Sequence, residues 1–210
     1  MNIGIIGAGN VGGNLGQRWA AAGHQIKFGV RNPSKPEVVA LLKQAGPQAS
    51  AGTVAEAAAF GEVVVLTTPW PATQAAIQSA GDLAGKIVVD CTNPLKPDLS
   101  GLTLGHTTSA AEQVAQWATG ARVVKCFNTT GADNMAKPQY GSDRAVMFLA
   151  GDDPAARATV KRLGEDLGFE MVDAGSLEIA RLLEPVAMLW IHLAYKGGFG
   201  RDFAFKWLRR

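Results

Sequence analysis

Residues 2–13, with the sequence NIGIIGAGNVGG, open the chain and decide its fold. Residues 2–6 are apolar and rich in isoleucine, which is typical of a buried strand, and residues 7–12 read Gly-x-Gly-x-x-Gly. Leu15 and Trp19 follow at helical spacing before another glycine ends the pattern. A strand, a glycine turn and a helix in this order predict a dinucleotide-binding fold.

Each position of the glycine turn has a physical role in such a fold. Gly7 makes the tight turn after the strand, and Gly9 has no Cβ, so that the backbone can approach a pyrophosphate. Gly12 allows the helix to pack closely on its strand. The first helical residues, Asn10 and Val11, present unpaired N–H groups and the positive end of the helix dipole to the phosphates. These five residues are therefore predicted to bind the cofactor.

The composition bounds the class of protein. With 210 residues, 47% of them hydrophobic, the chain is long enough for one domain with a small annex. A net charge of +2 does not indicate a nucleic acid or an anionic membrane as a partner. No apolar run approaches the roughly 20 residues of a membrane span. Two cysteines predict no disulfide framework, and the opening strand leaves no room for a cleavable signal, so a cytoplasmic protein is expected.

The end of the second predicted strand indicates which nicotinamide cofactor is bound. Residues 24–30 alternate like a strand and lead into Arg31, Asn32, Ser34 and Lys35. In NAD-binding folds an acidic residue at this position holds the 2′-hydroxyl of the ribose. This chain carries no acid there, and the guanidinium of Arg31 can grip a 2′-phosphate with its fork of donors. The four residues are therefore predicted to bind NADP, the alternative being a solvated surface loop.

Strands and helices alternate along the rest of the chain, which predicts an α/β, Rossmann-type, doubly wound and mostly parallel sheet. Strands are expected over residues 48–51, 62–67, 86–90, 122–127, 145–150 and 169–173, and helices over 37–45, 54–60, 71–80, 110–117 and 154–167. Thr53 with Glu56, and Ser109 with Glu112, are predicted capping boxes. Residues 1–176 are expected to form the NADP-binding domain. Residues 177–210 are expected to form a helical annex that completes the acceptor site and a homodimer interface.

Ligands of such sheets bind at the carboxyl ends of the strands, which brings several polar segments into one cleft. Besides the residues named above, the predicted cofactor-binding residues are Thr67, Thr68, Pro69, Thr92, Asn93, Pro94, Asn128 and Thr129. None of them supplies an acid pair or an obvious general base, and no metal site is expected. Hydride transfer suits this set, because it needs two rings held face to face in a dry slot while the cofactor supplies the bond chemistry.

No catalytic side chain is expected, because the candidates have other interpretations. His106 lies in a loop near the cleft and is a candidate for ligand contact, whereas His192 lies in an apolar helix and is expected to be packed in the core. Cys91 and Cys126 are expected to be small buried residues rather than redox groups. Trp70 is expected either to wall the nicotinamide slot or to pack in the core.

Taken together, these motifs make the chain resemble the reductases that pass hydride between NADPH and the deazaflavin coenzyme F420. It also resembles the related cytosolic reductase domain of the six-transmembrane ferric reductases. The matching pieces cover nearly all of the chain and are Gly7–Gly12, Arg31 with Lys35, LTTPW at residues 66–70, KCFNT at 125–129, LAGDD at 149–153, DAGSL at 173–177, RLLE at 181–184 and the glycine-rich tail.

The resemblance implies NADP bound by residues 9–11, Arg31 and Lys35, with Thr68 and Pro69 near the nicotinamide. It implies a second ring between residues 128–131 and the carboxyl-terminal helices. It also implies that the geometry of the two rings, and not an acid or a base, carries the reaction.

The chain departs from the F420 reductases at Asn128 and Gly131, where those enzymes carry His and Pro, and Asn-Thr is closer to the ferric reductase domain. Coenzyme F420, a flavin or a quinone-like ring would each fit a flat apolar slot. The expected function is an NADP(H)-dependent oxidoreductase with a deazaflavin or flavin acceptor. Two alternatives stay open: a soluble NADPH:flavin reductase of the ferric reductase type, and a non-catalytic NADP(H)-binding sensor or interaction protein.

Overall fold

An eight-stranded sheet forms the centre of this computed structural model, which describes all 210 residues. The strands are β1 (Asn2–Ile6), β2 (Gln25–Gly29), β3 (Ala49–Gly52), β4 (Val63–Leu66), β5 (Ile87–Asp90), β6 (Arg122–Cys126), β7 (Gln139–Tyr140), β8 (Asp143–Arg144), β9 (Val146–Gly151) and β10 (Glu170–Asp173). The helices are α1 (Asn10–Ala21), α2 (Pro36–Ala45), α3 (Val54–Phe60), α4 (Trp70–Ala80), α5 (Ala110–Trp117), α6 (Ala132–Ala136), α7 (Pro154–Leu167) and α8 (Ala180–Tyr195).

The order of the strands places the site. It runs β10-β9-β6-β5-β4-β1-β2-β3, while β7 and β8 form a separate hairpin. Neighbouring strands are parallel except for β6 and β9, which pair antiparallel. The carboxyl ends of β1 to β6 therefore meet at one edge of the sheet, and β9 and β10 end at the opposite edge. The chain winds outward in two directions from β1 and β4, where doubly wound sheets bind ligands, and the predicted Rossmann-type, mostly parallel sheet is confirmed.

Helices cover both faces of the sheet, which explains its uninterrupted apolar strands. All residues of β4 are buried, as expected for a parallel strand between two helical layers. On one face Trp19 of α1 donates its Nε1–H to Leu163 O of α7 at 2.9 Å, and both residues belong to the larger hydrophobic cluster. On the other face Ile77 of α4 and Val114 of α5 belong to a second cluster.

No helix combines the length and apolar character that crossing a membrane requires.

Two regions differ from the predicted elements. Residues 132–144 hold α6 and the β7–β8 hairpin, which are too short to show periodicity in the sequence. The expectation of a helical annex over residues 177–210 is wrong for its last part, because the helix ends at Tyr195 and left-handed Gly198 and Gly200 follow. The tail then packs on the protein, with the Val146 N–H donating to Phe205 O at 2.9 Å.

The two predicted capping boxes have different outcomes. Thr53 and Glu56 form the full reciprocal pair at the start of α3, as predicted. Ser109 accepts from the Glu112 N–H, but the Glu112 carboxylate does not return to the Ser109 backbone. It pairs instead with Arg181 of α8, at 2.7 Å between Nη2 and Oε1. An ion pair between α5 and α8 is thus present where a full capping box would have a hydrogen bond from the Ser109 N–H to the Glu112 carboxylate.

Candidate functional site

A cleft of about 1180 Å³ runs along the carboxyl ends of β1, β2, β4 and β5. Most of the predicted cofactor-binding residues line it, namely Gly7, Gly9, Asn10, Val11, Arg31, Asn32, Lys35, Thr67, Thr68, Pro69, Thr92 and Asn93. The lining does not include Gly12, Ser34, Pro94, Asn128 and Thr129. The fold therefore brings the ends of β1, β2, β4 and β5 together in one cleft, whereas the end of β6, which was also expected there, does not line it.

The glycine turn is held rigidly between two strands. Gly7 has a φ of +108°, in the left-handed region that favours glycine, and its N–H donates to Gly29 O at 3.0 Å. Thr67 Oγ1 donates to Gly7 O at 3.1 Å and so fixes the turn to the end of β4. Gly12 is buried beneath this turn, and a Cβ there would lie 2.3 Å from Gly7 O. Gly12 consequently lies behind the cleft and packs the helix.

The start of α1 fits a pyrophosphate. No side chain caps this helix, and its first turn holds no acidic residue. The N–H groups of Asn10 and Val11 therefore have no partner within the helix. A Cβ added at Gly9 would meet no protein atom within 4 Å, so the cleft is open above the helix start. Free N–H groups at a positive dipole end suit an anionic phosphate group.

The end of β2 presents cations to the same cleft. Arg31 and Lys35 are exposed, and neither forms an ion pair within the protein. Asn32 Oδ1 accepts from the Ser34 N–H at 3.0 Å, which closes the loop between the two cations. Glu37 is the only carboxylate that lines the cleft. Two unpaired cations beside this one acid suit an anionic group such as a ribose 2′-phosphate.

The opposite wall follows β4. The hydroxyl oxygens of Thr68 and Thr73 lie 2.9 Å apart, and Thr73 Oγ1 also donates to Pro69 O at 3.2 Å. These bonds fix the first turn of α4. Trp70 lines the cleft and stacks on Trp117, with ring centroids 5.2 Å apart. Trp70 therefore lines the cleft and also packs on an aromatic neighbour, while its expected place beside a nicotinamide stays a prediction.

A pair of asparagines joins the ends of β5 and β6. Asn93 Nδ2 donates to Asn128 O at 3.0 Å, and Asn128 Nδ2 donates to Asn93 Oδ1 at 3.1 Å. Asn93 lines the cleft, whereas Asn128 and Thr129 are buried behind it, at 3% and 2% exposure. These two buried residues can support the wall of the cleft, but they do not reach its surface.

The space expected for a second ring beside residues 128–131 is closed. A Cβ at Gly131 would lie 2.3 Å from the Trp190 ring of α8. Trp190 is itself held by its Nε1–H bond to Phe203 O at 3.0 Å and by stacking on the Phe203 ring at 5.1 Å. The expectation of a ring in this place is therefore wrong for this conformation, because packed aromatic side chains occupy it. No residue of α8 lines the cleft.

The predicted candidates for acid–base or redox chemistry lie apart from the cleft or are buried as neutral groups. His106 and His192 are exposed and do not line it. The core position expected for His192 is wrong, because its side of α8 faces solvent. Burial raises the pKa of both thiols, those of Cys91 and Cys126, so they stay protonated as predicted for small buried residues. His24 pairs with Asp166 at 3.0 Å and does not line the cleft.

A buried cluster of charges behind the cleft was not predicted. Lys125 Nζ lies 2.9 Å from Asp90 Oδ2 and 2.8 Å from Glu184 Oε1, and the three side chains are at most 1% exposed. Burial opposes the charge of Lys125, but the two carboxylates outweigh it and raise its pKa. The sequence carried a signal, because a lysine within the apolar strand at residues 122–127 needs an anionic partner.

Comparisons with known proteins identify the relatives of the chain. Residues 2–94 match the family described as "NADP oxidoreductase coenzyme F420-dependent". The chain is 30% identical to the F420-dependent NADP reductase of Methanothermobacter marburgensis over 93% of each chain. It is also 30% identical to the metalloreductase STEAP3 of Rattus norvegicus over 89% of this chain, but it spans only 36% of that protein. A solved structure of a proposed F420-dependent NADP-reductase from Arthrobacter sp. FB24 superposes over the whole of both chains, with a TM-score of 0.90 at 34% identity.

Proposed function

Since this chain belongs to the family of coenzyme F420-dependent NADP oxidoreductases, we propose that it transfers hydride between NADPH and a flat acceptor ring of the deazaflavin or flavin type. The protein is an NADP-dependent oxidoreductase, and the acceptor is the proposed part. One observation carries the proposal: the open cradle at Gly9 and the wall at residues 67–70 belong to a single cleft. That cleft holds no histidine and no pair of carboxylates.

We assign the two anionic groups of the cofactor to those parts of the cleft that offer free N–H groups or positive charges. The backbone at Gly9, Asn10 and Val11 would hold the pyrophosphate, because its N–H groups are free and no Cβ intrudes there. Arg31 and Lys35 would hold the 2′-phosphate, with Asn32 and Ser34 shaping the loop between them.

The reacting rings would lie at the other end of the cleft. Thr68, Pro69, Thr92 and Asn93 would hold the nicotinamide, with Pro94, Asn128 and Thr129 supporting them from behind. The acceptor ring would then lie against the cleft residues Trp70, Leu95, Pro97 and Leu99, whose side chains give a largely apolar surface. This position replaces the closed space beside Gly131.

Bound NADPH supplies the hydride, that is, one proton with two electrons, and the acceptor takes a further proton from water where its reduced form requires one. The protein residues bind the two rings, orient them and exclude bulk water. No side chain has to move a proton. This role agrees with the cleft wall at Thr67, Thr68, Pro69, Thr92 and Asn93, which consists of hydroxyl groups, an amide and a proline ring.

The proposal is tested by mixing the protein and NADPH with F420 or with FMN and following the nicotinamide absorbance. Oxidation of NADPH with F420 is the expected result, and the Gly9→Ala variant serves as a matched control with an obstructed cradle. Reduction of FMN alone would favour the soluble NADPH:flavin reductase. A protein that binds NADPH and reduces neither acceptor would contradict the proposed function and indicate the non-catalytic NADP(H)-binding protein.

We also propose that α8 mediates a homodimer. Leu182 and Leu189 are 62% and 51% exposed and lie two turns apart on the same side of the helix. A second copy would cover these side chains. Light scattering at micromolar protein should give a dimer, and the double substitution of both leucines by Asp should give a monomer. A monomeric wild-type protein would contradict this assembly.

A further inference from the structure

The backbone of Thr92 is held on both sides by buried charged groups. Lys125 Nζ donates to Thr92 O at 2.6 Å, and the Thr92 N–H donates to Asp90 Oδ1 at 2.9 Å. Thr92 lies two residues beyond the end of β5, in the wall of the cleft. Both polar groups of its backbone are therefore fixed by side chains that are not exposed to solvent.

Glu184 completes the surroundings of Lys125 from the opposite side. Its Oε1 lies 2.8 Å from Lys125 Nζ, and its two oxygens accept the N–H groups of Ala110 and Ala111 at the start of α5. Glu184 belongs to α8, so the cluster joins β5, β6, α5 and α8. Every donor of the lysine ammonium is thereby directed to an oxygen atom: Asp90 Oδ2, Glu184 Oε1 or Thr92 O.

A buried cluster of charges adds little net stability to the contact between two strands. Buried ion pairs are often no more stabilising than apolar residues of similar volume, because desolvation offsets the attraction between the charges. A lysine here does one thing that an apolar residue cannot do, which is to donate a hydrogen bond to the Thr92 carbonyl. The contact with a residue of the cleft wall thus points to a role in positioning.

We propose that Lys125 is a positioning residue of the cofactor site, which fixes the Thr92–Asn93 wall of the cleft through the carbonyl of Thr92. This inference rests on the proposed function, in which the wall faces the nicotinamide. Asp90 and Glu184 lie against the same ammonium and keep Lys125 in place. A wall that is already ordered before NADPH binds loses less conformational freedom on binding, which favours affinity and a fixed ring geometry.

The test compares two variants that differ only at residue 125, where one keeps the amine donor and the other has none. The double variant Asp90→Asn/Glu184→Gln removes both carboxylates and keeps the Lys125 amine beside Thr92 O. The triple variant adds Lys125→Met, which keeps the approximate volume and removes the donor, without leaving a buried charge unpaired. Should the methionine variant not fold, Lys125→Leu in the same background gives the same comparison. Glu112→Gln is the control, since it breaks the ion pair with Arg181 between α5 and α8 and does not touch the cluster.

The measurements are thermal unfolding and the dissociation constant for NADPH from nicotinamide fluorescence, which needs no acceptor. We expect the double variant to unfold at a lower temperature than the triple variant, because it leaves the buried lysine without an anionic partner. NADPH should nevertheless bind at least about tenfold more weakly to the triple variant, which lacks the donor to Thr92 O. Glu112→Gln should bind NADPH as the wild-type protein does. Equal affinity of the folded double and triple variants would overturn the positioning role. Wild-type protein that binds NADPH without reducing any acceptor would contradict the proposed function alone, because the comparison of affinities would still be valid.

Discussion

Gly12 lies so close to Gly7 that a Cβ at residue 12 would be 2.3 Å from the Gly7 carbonyl oxygen. Gly9, between them, faces open space within 4 Å. Two glycines of one motif therefore have separate tasks, one in packing and one in leaving room for a ligand. The motif predicts packing at Gly12 and an open approach at Gly9, and the surroundings of the two residues agree with both.

The two tasks can be separated by alanine substitution. Gly12→Ala should lower the unfolding temperature by about 2–12 °C, because overpacking costs about 1–3 kcal/mol and 1 kcal/mol corresponds to about 2–4 °C in a protein of this size. Gly9→Ala should leave the unfolding temperature within about 4 °C, since the loss of a good helix-capping residue costs about 1 kcal/mol. It should weaken NADPH binding at least about tenfold, or 1.4 kcal/mol. A Gly9→Ala protein with wild-type affinity would place the pyrophosphate elsewhere.

Selectivity for NADPH should depend on Arg31. A hydrogen bond to a charged group contributes about 1.5–3 kcal/mol, so Arg31→Ala should weaken NADPH binding roughly tenfold to a hundredfold and leave NADH binding nearly unchanged. Added salt should reduce the preference, because the side chain is exposed. Lys43→Ala on α2 makes the same change of charge at an exposed residue that does not line the cleft, and it should have little effect. Titration of both cofactors by fluorescence against the wild type and the two variants measures all six affinities, and an unchanged preference in Arg31→Ala would show that another group binds the 2′-phosphate.

Turnover should not require an ionisable side chain of the protein. Single substitutions of His106, His192 or Cys91 by Ala should keep acceptor reduction within about tenfold of the wild-type rate, whereas loss of a general base costs about 10²–10⁴-fold. The reason is that both histidines lie outside the cleft and burial raises the pKa of the thiol. Steady-state rates at saturating NADPH give the comparison. A folded His106→Ala protein with a loss in the larger range would make His106 catalytic.

Acid should weaken the attachment of α8 to α5. Hydrogen bonds from Arg181, followed by those from Ser109, lower the pKa of Glu112 from its ordinary value of 4.5. The folded state therefore binds this proton less readily than the unfolded state, so the contribution of the pair is fully present above pH 4.5 and is lost as the pH falls through the lowered pKa. Glu112→Gln should reduce the unfolding temperature by about 2–4 °C at neutral pH, for an ion pair of about 1 kcal/mol. The difference between variant and wild type should shrink in strong acid, and a difference independent of pH would exclude this ion pair as its source.

The framework of the fold could be predicted because local signals agree with the tertiary structure. The capping pair Thr53–Glu56, the buried run at β4 and the glycine turn after β1 each follow from short stretches of sequence. The antiparallel pairing of β9 with β6 could not be predicted, since the direction of a strand depends on the connection before it. That connection consists of α6 and the β7–β8 hairpin, whose few residues show no periodicity.

The candidate site was predictable to the extent that it consists of strand ends. Residues such as Arg31, Thr68 and Asn93 line the cleft because parallel strands place their carboxyl ends together. The burial of Asn128 was not predictable, because it depends on a distant partner, Asn93. The role of Trp190 likewise depends on Gly131, which is 59 residues earlier in the chain (190 − 131) and leaves room for the ring.

The most direct measurement of the proposed hydride transfer follows deuterium from NADPH into the acceptor. NADPH carrying deuterium at C4 of the nicotinamide, prepared separately in each of the two stereochemical forms, is oxidised by the protein with F420, and the mass of the reduced acceptor is determined. A cleft that holds two rings face to face predicts that one of the two forms delivers one deuterium to the ring carbon of the deazaflavin, and that the other form delivers none. A reduced acceptor without deuterium from either form, or no oxidation of bound NADPH, would contradict direct hydride transfer in this cleft.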